Sequence, residues 1–196
     1  DVQAIRVYEK AGFVDSGYTD DTVSGCLHFV YPFTADSGTP DASGIRIVRV
    51  GEAAEKQTIS QSILEALPEW FGISEAREQY IKESAVQLFF TALAAEKPIG
   101  FLCLKETGKE TVELSVMGVL KDRHRKGVGR ILFEQAKKAA RNRGYSFMQV
   151  KTVQMGCYAA YDATNRFYRS LGFKEFELFP TLWDERNPCQ IYVMTL

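Results

Sequence analysis

Apolar and polar residues alternate with two different periods along residues 44–196, and the period predicts which segments form strands and which form helices. An apolar residue at every second position predicts a strand, and apolar residues three or four positions apart predict a helix. Glycine, proline and short polar segments between them indicate turns. The predicted strands cover 44–50, 86–94, 99–105, 111–120, 146–152, 173–179 and 189–195. The predicted helices cover 53–67, 74–84, 127–143 and 160–171.

The order of these elements predicts the fold class. Strands alternate with helices in the middle of the chain, and strands follow strands at its ends, which indicates an α/β domain. We therefore expect a mixed sheet with helices on both faces. The chain has 196 residues, 45% of them hydrophobic, and this is enough for one well-packed core.

Composition excludes several function classes. The net charge is −1, so no basic excess points to nucleic acid or to an anionic membrane surface. No apolar run approaches the ~20 residues of a membrane span. The four cysteines and two histidines show no metal-ligand spacing, so no metal site is predicted. Scattered cysteines are typical of reduced, buried thiols, which leads us to expect a cytoplasmic protein.

The most distinctive junction joins the strand at 111–120 to the helix at 127–143. A basic turn at 123–126 is followed by Gly127 and Gly129 at the start of the helix. Free N–H groups and the positive end of the helix dipole attract anions there, and glycine permits close approach to the backbone. The pattern indicates a phosphate or pyrophosphate site, although a solvated helix start without a ligand has the same pattern.

Two other phosphate-binding motifs do not fit this junction. A Walker loop requires Lys and then Ser or Thr after its last glycine, but Arg130 and Ile131 follow Gly129. A dinucleotide fingerprint requires a third glycine where this chain has Leu132. We therefore expect a different kind of turn to hold the anion.

Two segments resemble motifs of the GNAT superfamily of N-acetyltransferases. The segment His124-Arg-Lys-Gly-Val-Gly129 resembles its acetyl-CoA pyrophosphate loop, Arg/Gln-x-x-Gly-x-Gly/Ala, with His124 as a departure at the first position. Residues 163–173, Ala-Thr-Asn-Arg-Phe-Tyr-Arg-Ser-Leu-Gly-Phe, resemble the helix ending in Phe-Tyr-x-x-x-Gly-Phe beside the pantetheine arm. The resemblance covers residues 45–196. It implies a complete GNAT domain with a mixed, mostly antiparallel twisted sheet and helices on both faces.

The resemblance implies acetyl-CoA as the cosubstrate and assigns residues to its binding. The backbone of Met117 and Val119 is expected to hydrogen-bond the pantetheine arm. Asn165 lies one helical turn before Tyr168 on the same face, so we expect it to contact the pantetheine amides, although the family often has this asparagine elsewhere in the helix. The loop residues expected to bind the pyrophosphate are His124, Arg125, Lys126, Gly127, Val128, Gly129 and Arg130.

Acetyl transfer to an amine requires loss of a proton from the amine and protonation of the leaving thiolate. Glu113 is the candidate base, because strand alternation places it on one face with Ser115, Met117 and Val119, where apolar neighbours increase the basicity of a carboxylate. Tyr168 resembles the family tyrosine near the thioester sulfur and is the candidate acid. The simpler interpretations are a solvated glutamate in a half-exposed strand and a tyrosine packed in the core.

The acceptor pocket is expected between the first helices, at 70–72, and in a loop at 180–188 between the last strands. An aromatic face at Trp183 beside the carboxylates of Asp184 and Glu185 could hold a cationic amine, although ordinary loop packing has the same composition. The sequence leaves aminoglycoside, polyamine, peptide N-terminus and lysine acceptors open. The candidate acceptor-binding residues are Trp70, Phe71, Asp162, Trp183 and Asp184.

The N-terminal residues resemble the second motif. Residues 3–13 match residues 163–173 at Arg6, Tyr8, Gly12 and Phe13, an offset too long for a solenoid repeat. We predict that residues 1–34 are the C-terminal fragment, a helix and two strands, of a preceding GNAT copy. Residues 35–44 are then a polar linker and 45–196 the complete domain. The alternative is chance similarity between two amphipathic helices.

The fragment has consequences for the rest of the chain. Because the sequence begins Asp1-Val2 without Met, we expect it to be part of a longer chain or the product of processing. A helix and two strands bury too little apolar surface to be stable alone. The fragment is therefore expected to pack on the main domain, to pack on a second copy, as in a homodimer, or to stay mobile.

Together these features predict an N-acetyltransferase that moves an acetyl group from acetyl-CoA to a primary amine by direct attack. The acceptor is a small-molecule or peptide amine. Two other function classes remain: a non-catalytic acyl-CoA-binding regulatory module, and a protein that binds nucleotide phosphates for unrelated chemistry.

Overall fold

The computed structural model describes residues 14–15, 29–30 and 44–196. The chain divides into two compact units, Asp1–Asp36 and Ser37–Leu196. In the first unit, strand β1 (Val14–Asp15) pairs antiparallel with strand β2 (Phe29–Val30). The expected N-terminal helix and nearly all of the expected linker at 35–44 lie outside the described residues, so the preceding GNAT copy stays a prediction.

The second unit contains a seven-stranded sheet with the order β3-β4-β5-β6-β7-β9-β8. Neighbouring strands are antiparallel except for β6 and β7, which are parallel. The prediction of a mixed, mostly antiparallel sheet is therefore confirmed. The strands are β3 (Ile45–Val50), β4 (Leu88–Ala94), β5 (Lys97–Gly108), β6 (Thr111–Val119), β7 (Phe147–Val153), β8 (Lys174–Asp184) and β9 (Asn187–Thr195).

Helices cover both faces of this sheet. The helices are α1 (Ala53–Glu65), α2 (Pro68–Phe71), α3 (Ser74–Ser84), α4 (Val128–Asn142) and α5 (Ala159–Ser170), with a 3₁₀ turn at Lys121–Arg123. The sequence did not predict α2, a single turn that begins with proline at a position where its missing N–H group costs nothing. None of the described helices is long and apolar enough to cross a bilayer.

Each face of the sheet has its own hydrophobic core. One core lies between the sheet and α1, and in it Phe89 and Phe101 stack with ring centroids 5.1 Å apart. The residues of this core include Val50, Ile59, Ile63, Leu64, Phe89, Phe101, Cys103 and Val116. The core under α4 and α5 includes Leu102, Leu104, Leu114, Val128, Leu132, Phe133, Met148, Val150, Tyr168 and Tyr192. Complete burial of one such side chain is worth about 1.5–3 kcal/mol, so both layers are anchored to the sheet.

The cysteines only partly follow the expectation of buried thiols. Cys103 and Cys189 are buried and free, but the free Cys157 is exposed. Cys26 lies outside the described residues.

A β-bulge at Ser115 interrupts strand β6. Leu104 of β5 pairs with Leu114, and the adjacent Cys103 pairs with Val116, so the extra residue of β6 is Ser115. In a regular strand Leu114 and Val116 would lie on one face, but here they pack in different cores. Beyond the bulge, each side chain of β6 therefore points to the face of the sheet opposite to the one that regular alternation would give it.

The predicted common face of β6 is consequently wrong. Met117 and Val119 pack against the core of α4 and α5. Glu113 alternates with Val112 and Leu114, which belong to that same core, so Glu113 lies on the opposite face of the sheet. Sequence alternation alone could not reveal this, because one unpaired residue changes the face of every residue after it.

Candidate active site

A cleft opens where the two parallel strands separate. Strands β6 and β7 pair only from Thr111–Phe147 to Leu114–Val150, although β6 continues to Val119 and β7 to Val153. The resulting cleft has a volume of about 1030 Å³. Parts of β6, β7, α2, α3, α4, α5 and β8, together with the turn before α4, line it. We name the two parts of the cleft after the ligands that the sequence predicts for them: the turn and α4 form the cofactor half, and α2, α3, the start of α5 and the β8–β9 hairpin form the acceptor half.

The start of α4 provides unsatisfied backbone donors to the cofactor half. Gly127 is the N-cap residue with φ 82°, and no side chain caps this helix end. The first N–H group that bonds within the helix is that of Ile131, which donates to the Gly127 carbonyl at 3.1 Å. The amides of Val128, Gly129 and Arg130 precede it and have no intrahelical acceptor. The geometry agrees with the anion site predicted from the sequence.

The two glycines of this turn serve different purposes. At Gly127 the positive φ disfavours any side chain, while a Cβ there would meet no atom within 4 Å. A Cβ on Gly129 would lie 3.0 Å from the Phe167 ring and 3.1 Å from Met117 Cε. Gly129 therefore permits close packing between α4, α5 and β6, a requirement that the motif did not reveal.

Positively charged side chains surround the cofactor half. Arg125 adopts φ 60°, an unusual left-handed conformation for a residue with a side chain, and it lines the cleft. Arg123 and Arg130 also line the cleft. Lys126 is exposed and is not among the lining residues.

His124 occupies the departure position of the loop motif and contacts strand β6. Its Nε2 lies 2.7 Å from the Val119 carbonyl oxygen. Because a carbonyl oxygen only accepts, Nε2 is the donor in this hydrogen bond. The ring of His124 also meets the edge of Trp70, with centroids 5.8 Å apart. His124 thus links the cofactor half to α2.

Tyr168 lines the cleft from α5, while its ring is buried between the rings of Phe167 and Phe173. Burial is the main cause that raises the pKa of this phenol above its ordinary value, and Tyr80 and Tyr161 add to the effect. The hydroxyl is therefore protonated at neutral pH and available as a proton donor.

Glu113 does not line the cleft. Its carboxylate accepts hydrogen bonds from Lys151 Nζ at 2.7 Å and from Gln149 Nε2 at 3.3 Å, and 13% of its side chain is exposed. Its neighbours are thus an ammonium and an amide, and the expectation of an apolar environment is wrong. Lys151 itself lines the cleft, so the ion pair lies at the cleft wall.

Asn165 is not available to a pantetheine arm, which corrects the prediction for this residue. Its side chain is completely buried. The amide Nδ2 donates to the carbonyls of Val153 at 2.9 Å and Tyr161 at 2.7 Å, and Oδ1 accepts from the Tyr192 hydroxyl at 2.8 Å. These bonds join α5 to β7 and β9, so Asn165 positions the helix. Asn165 lies one helical turn before Tyr168, which suggested that both residues face the cofactor, but this spacing could not show that Asn165 is buried.

In the acceptor half, Trp70 and Phe71 line the cleft as predicted, and Trp70 Nε1 donates to Thr164 Oγ1 at 3.0 Å. Asp162 is not among the lining residues, and its Oδ1 accepts from the Gly156 amide at 2.7 Å. We missed Arg77 and Tyr80 from α3. Their spacing of one helical turn was visible in the sequence, but nothing there placed α3 beside the cleft.

The segment 180–188 is not a long loop, which is a further correction. Strand β8 continues to Asp184, and β9 begins at Asn187. Trp183 and Asp184 still line the cleft. The Asp184 carboxylate accepts from the amides of Arg186 and Asn187 and from Asn187 Nδ2, and this last contact is the main cause that lowers the pKa of Asp184. Asp184 therefore stabilises the hairpin turn.

The described residues of the site offer no evident set of metal ligands. Within residues 44–196 and the two short strands, no three His, Cys, Asp or Glu side chains lie close enough together to hold a metal ion.

Comparisons with known proteins agree with this architecture. Residues 85–175 match the family model of the acetyltransferase (GNAT) domain. No curated protein matches the sequence significantly. An acetyltransferase of the GNAT family from Desulfovibrio desulfuricans has 18% sequence identity and a TM-score of 0.66, over 77% of this chain and 98% of that chain.

Two further solved structures contain coenzyme A or acetyl-CoA. The PaiA N-acetyltransferase from Thermoplasma acidophilum, in complex with coenzyme A, has 20% identity and a TM-score of 0.59, over 78% of this chain and 99% of that chain. A GNAT family acetyltransferase from Elizabethkingia anophelis with acetyl-CoA bound has 17% identity and a TM-score of 0.58, over 78% and 99%. At these identities the likeness shows the fold. The family model identifies residues 85–175 as similar to a GNAT acetyltransferase domain, and the sheet that contains them has the GNAT fold.

Proposed function

We propose that this protein is an acetyl-CoA-dependent N-acetyltransferase that acts on a primary amine. The observation that supports this most directly is the cleft between β6 and β7, which begins at the unsatisfied N-terminus of α4 and reaches the protonated phenol of Tyr168. The CoA-bound structures with the same fold support acetyl-CoA as the cosubstrate.

The cofactor half binds the pyrophosphate in this proposal. The free amides of residues 128–130 donate to its oxygens, and Arg123, Arg125 and Arg130 compensate its charge. The pantetheine arm then follows the separated part of β6 along Met117 and Val119. Because His124 donates to the Val119 carbonyl, the pantetheine amides pair with other backbone groups of β6 or displace this ring.

The transfer itself is a direct attack. The amine nitrogen forms a bond to the thioester carbon, and the carbon–sulfur bond breaks. Backbone N–H groups of β6 beside the carbonyl polarise it. Tyr168 gives its proton to the departing thiolate. The amine proton passes through a water molecule to Glu113, whose carboxylate lies behind the Lys151 ammonium. Holding amine and thioester together accounts for much of the acceleration.

A thiol-release assay tests this function. The protein is incubated with acetyl-CoA and a panel of amines, and free CoA is measured against controls without amine. Amine-dependent release, with the acetylated amine identified by mass spectrometry, is expected. Binding of acetyl-CoA without release for any amine class would contradict catalysis.

A non-catalytic acyl-CoA-binding module is the second candidate. The position of Glu113 favours it, because this residue does not line the cleft and its carboxylate is paired with Lys151. The double variant Glu113→Gln/Tyr168→Phe separates the two functions. If the protein is an enzyme, the double variant still binds acetyl-CoA but no longer turns it over. Acetyl-CoA affinity and CoA release that are both the same as in the wild type would favour the binding module.

A further inference from the structure

The acceptor half of the cleft combines aromatic walls with positive charge. Five aromatic side chains from α2, α3, α5 and β8 line this part of the cleft: Trp70, Phe71, Tyr80, Tyr161 and Trp183. Rings of this kind bury the apolar body of a small ligand and leave its orientation to a few polar groups. The identity of those polar groups therefore decides which amines fit.

Helix α3 presents one face to the cleft. Ile73, just before its first turn, and Ala76, Arg77 and Tyr80 line the cleft at spacings of three, four and seven positions. The acidic residues of α3 and Lys82 are not among the lining residues. Arg77 is thus the ionised side chain that α3 contributes to the acceptor half.

Arg77 is held in place without its charge being neutralised. Its Nη1 donates to the Phe71 carbonyl at 3.0 Å, which ties the guanidinium to the end of α2. Arg77 takes part in none of the ion pairs found among the described residues. A guanidinium has five N–H donors in a planar fork, so most of its donor capacity remains for a ligand.

The carboxylates near the cleft are already engaged. Among the described residues that line the cleft, Asp184 is the one acidic residue, and its oxygens accept hydrogen bonds from the β8–β9 turn. The Glu113 carboxylate is paired with Lys151. Cationic side chains therefore outnumber the single carboxylate in the described lining, which disfavours the additional ammonium groups of a polyamine or an aminoglycoside.

We propose that the acceptor is an amine that also bears a carboxylate, on an aromatic or aliphatic body, as in a free amino acid, and that Arg77 binds this carboxylate. The inference rests on the proposed acetyltransferase function and adds the class of acceptor. A bidentate pair between guanidinium and carboxylate fixes the orientation of the ligand as well as its charge. The same cation repels acceptors with several positive charges, which excludes two of the classes that the sequence left open.

Matched acceptors test the proposal. Phenylalanine and phenylalaninamide have nearly the same shape but differ in the carboxylate, and spermidine represents the polycationic amines. The kcat/KM for each is measured by CoA release in the wild type and in Arg77→Met. Comparing the ratio of phenylalanine to phenylalaninamide between the two proteins cancels the different basicities of the two amines.

The expected result is a fall of this ratio by about tenfold or more in Arg77→Met, because a hydrogen-bonded charge pair is lost. Arg77→Lys should give an intermediate ratio, since it restores the charge without the fork. Lys82→Met removes one positive charge from the exposed side of the same helix and should leave the ratio unchanged.

Three results would overturn the proposal. An equal loss for both acceptors in Arg77→Met would mean that Arg77 only supports the end of α2. A wild-type preference for spermidine would exclude the acceptor class while leaving the acetyltransferase function intact. Absence of CoA release with every amine, despite bound acetyl-CoA, would contradict the acetyltransferase function and this inference together.

Discussion

The two halves of the cleft are built from different parts of the polypeptide. The cofactor half, as predicted, depends on backbone groups at the start of α4, which lie in one short segment of the sequence. The acceptor half depends on side chains from α2, α3 and the β8–β9 hairpin, which are far apart in the sequence. A backbone site can therefore be found from one short motif, whereas a side-chain site becomes visible only after the chain has folded.

The largest effect should follow from a change at the helix start. Gly127→Asp adds a strained side chain at φ 82° and a negative charge beside the bound pyrophosphate. We expect acetyl-CoA affinity to fall by roughly 100-fold or more, measured by calorimetry. Gly144→Asp is the matched control, since Gly144 has the same φ and equally open surroundings just beyond the other end of α4. An equal loss of acetyl-CoA affinity in both variants would mean that the pyrophosphate does not bind at this turn.

The next effect concerns the candidate acid. Tyr168→Phe should lower kcat by about 100-fold while acetyl-CoA affinity stays within about twofold. Because burial raises the pKa of Tyr168, its proton should not be lost below about pH 10, and kcat should show no alkaline decline from this group. Tyr145→Phe, outside the cleft, should behave like the wild type. A changed affinity with unchanged turnover would make Tyr168 a binding residue.

A smaller effect is expected at the candidate base. Glu113→Gln should lower kcat/KM by roughly tenfold, because its proton transfer requires a water molecule and a partner already holds the carboxylate. The exposed Glu134 on α4 provides the control Glu134→Gln. Turnover at the wild-type rate in Glu113→Gln would indicate that the amine enters in its neutral form and needs no base.

The smallest effect on the cleft is expected at Asn165. Asn165→Ala removes three buried hydrogen bonds and should lower the free energy of unfolding by about 2–3 kcal/mol. Acetyl-CoA affinity should remain within about twofold of the wild type. Urea unfolding and calorimetry measure the two quantities, with the exposed Asn142→Ala as the control. Weakened binding without lost stability would restore Asn165 as a cofactor contact.

Sequence periodicity predicted every long element of the main unit, since most of them bury an apolar face, and even the largely exposed edge strand β8 alternates between polar and apolar residues. It missed α2, whose single turn is too short to show a period. It also misjudged the ends of β8 and β9, because Pro180 and Pro188 suggested a loop where the structure has an edge strand and a tight turn.

The position of Gly127 at the start of α4 was predictable, because the glycine and the helical pattern lie in one short segment of the sequence. Prediction failed where one distant contact decides the role. The bulge at Ser115 moved Glu113 to the other face, and contacts with β7 and β9 committed Asn165 to the core. Arg77 was overlooked because only the folded chain brings α3 to the cleft.

The most direct test of the account is a calorimetric titration with acetyl-CoA, with ATP and NADH as controls. It requires no knowledge of the acceptor and addresses the cofactor half alone. The account predicts binding of one acetyl-CoA per chain and much weaker binding of ATP and NADH. Absence of acetyl-CoA binding, or equal binding of all three ligands, would contradict the account at its centre.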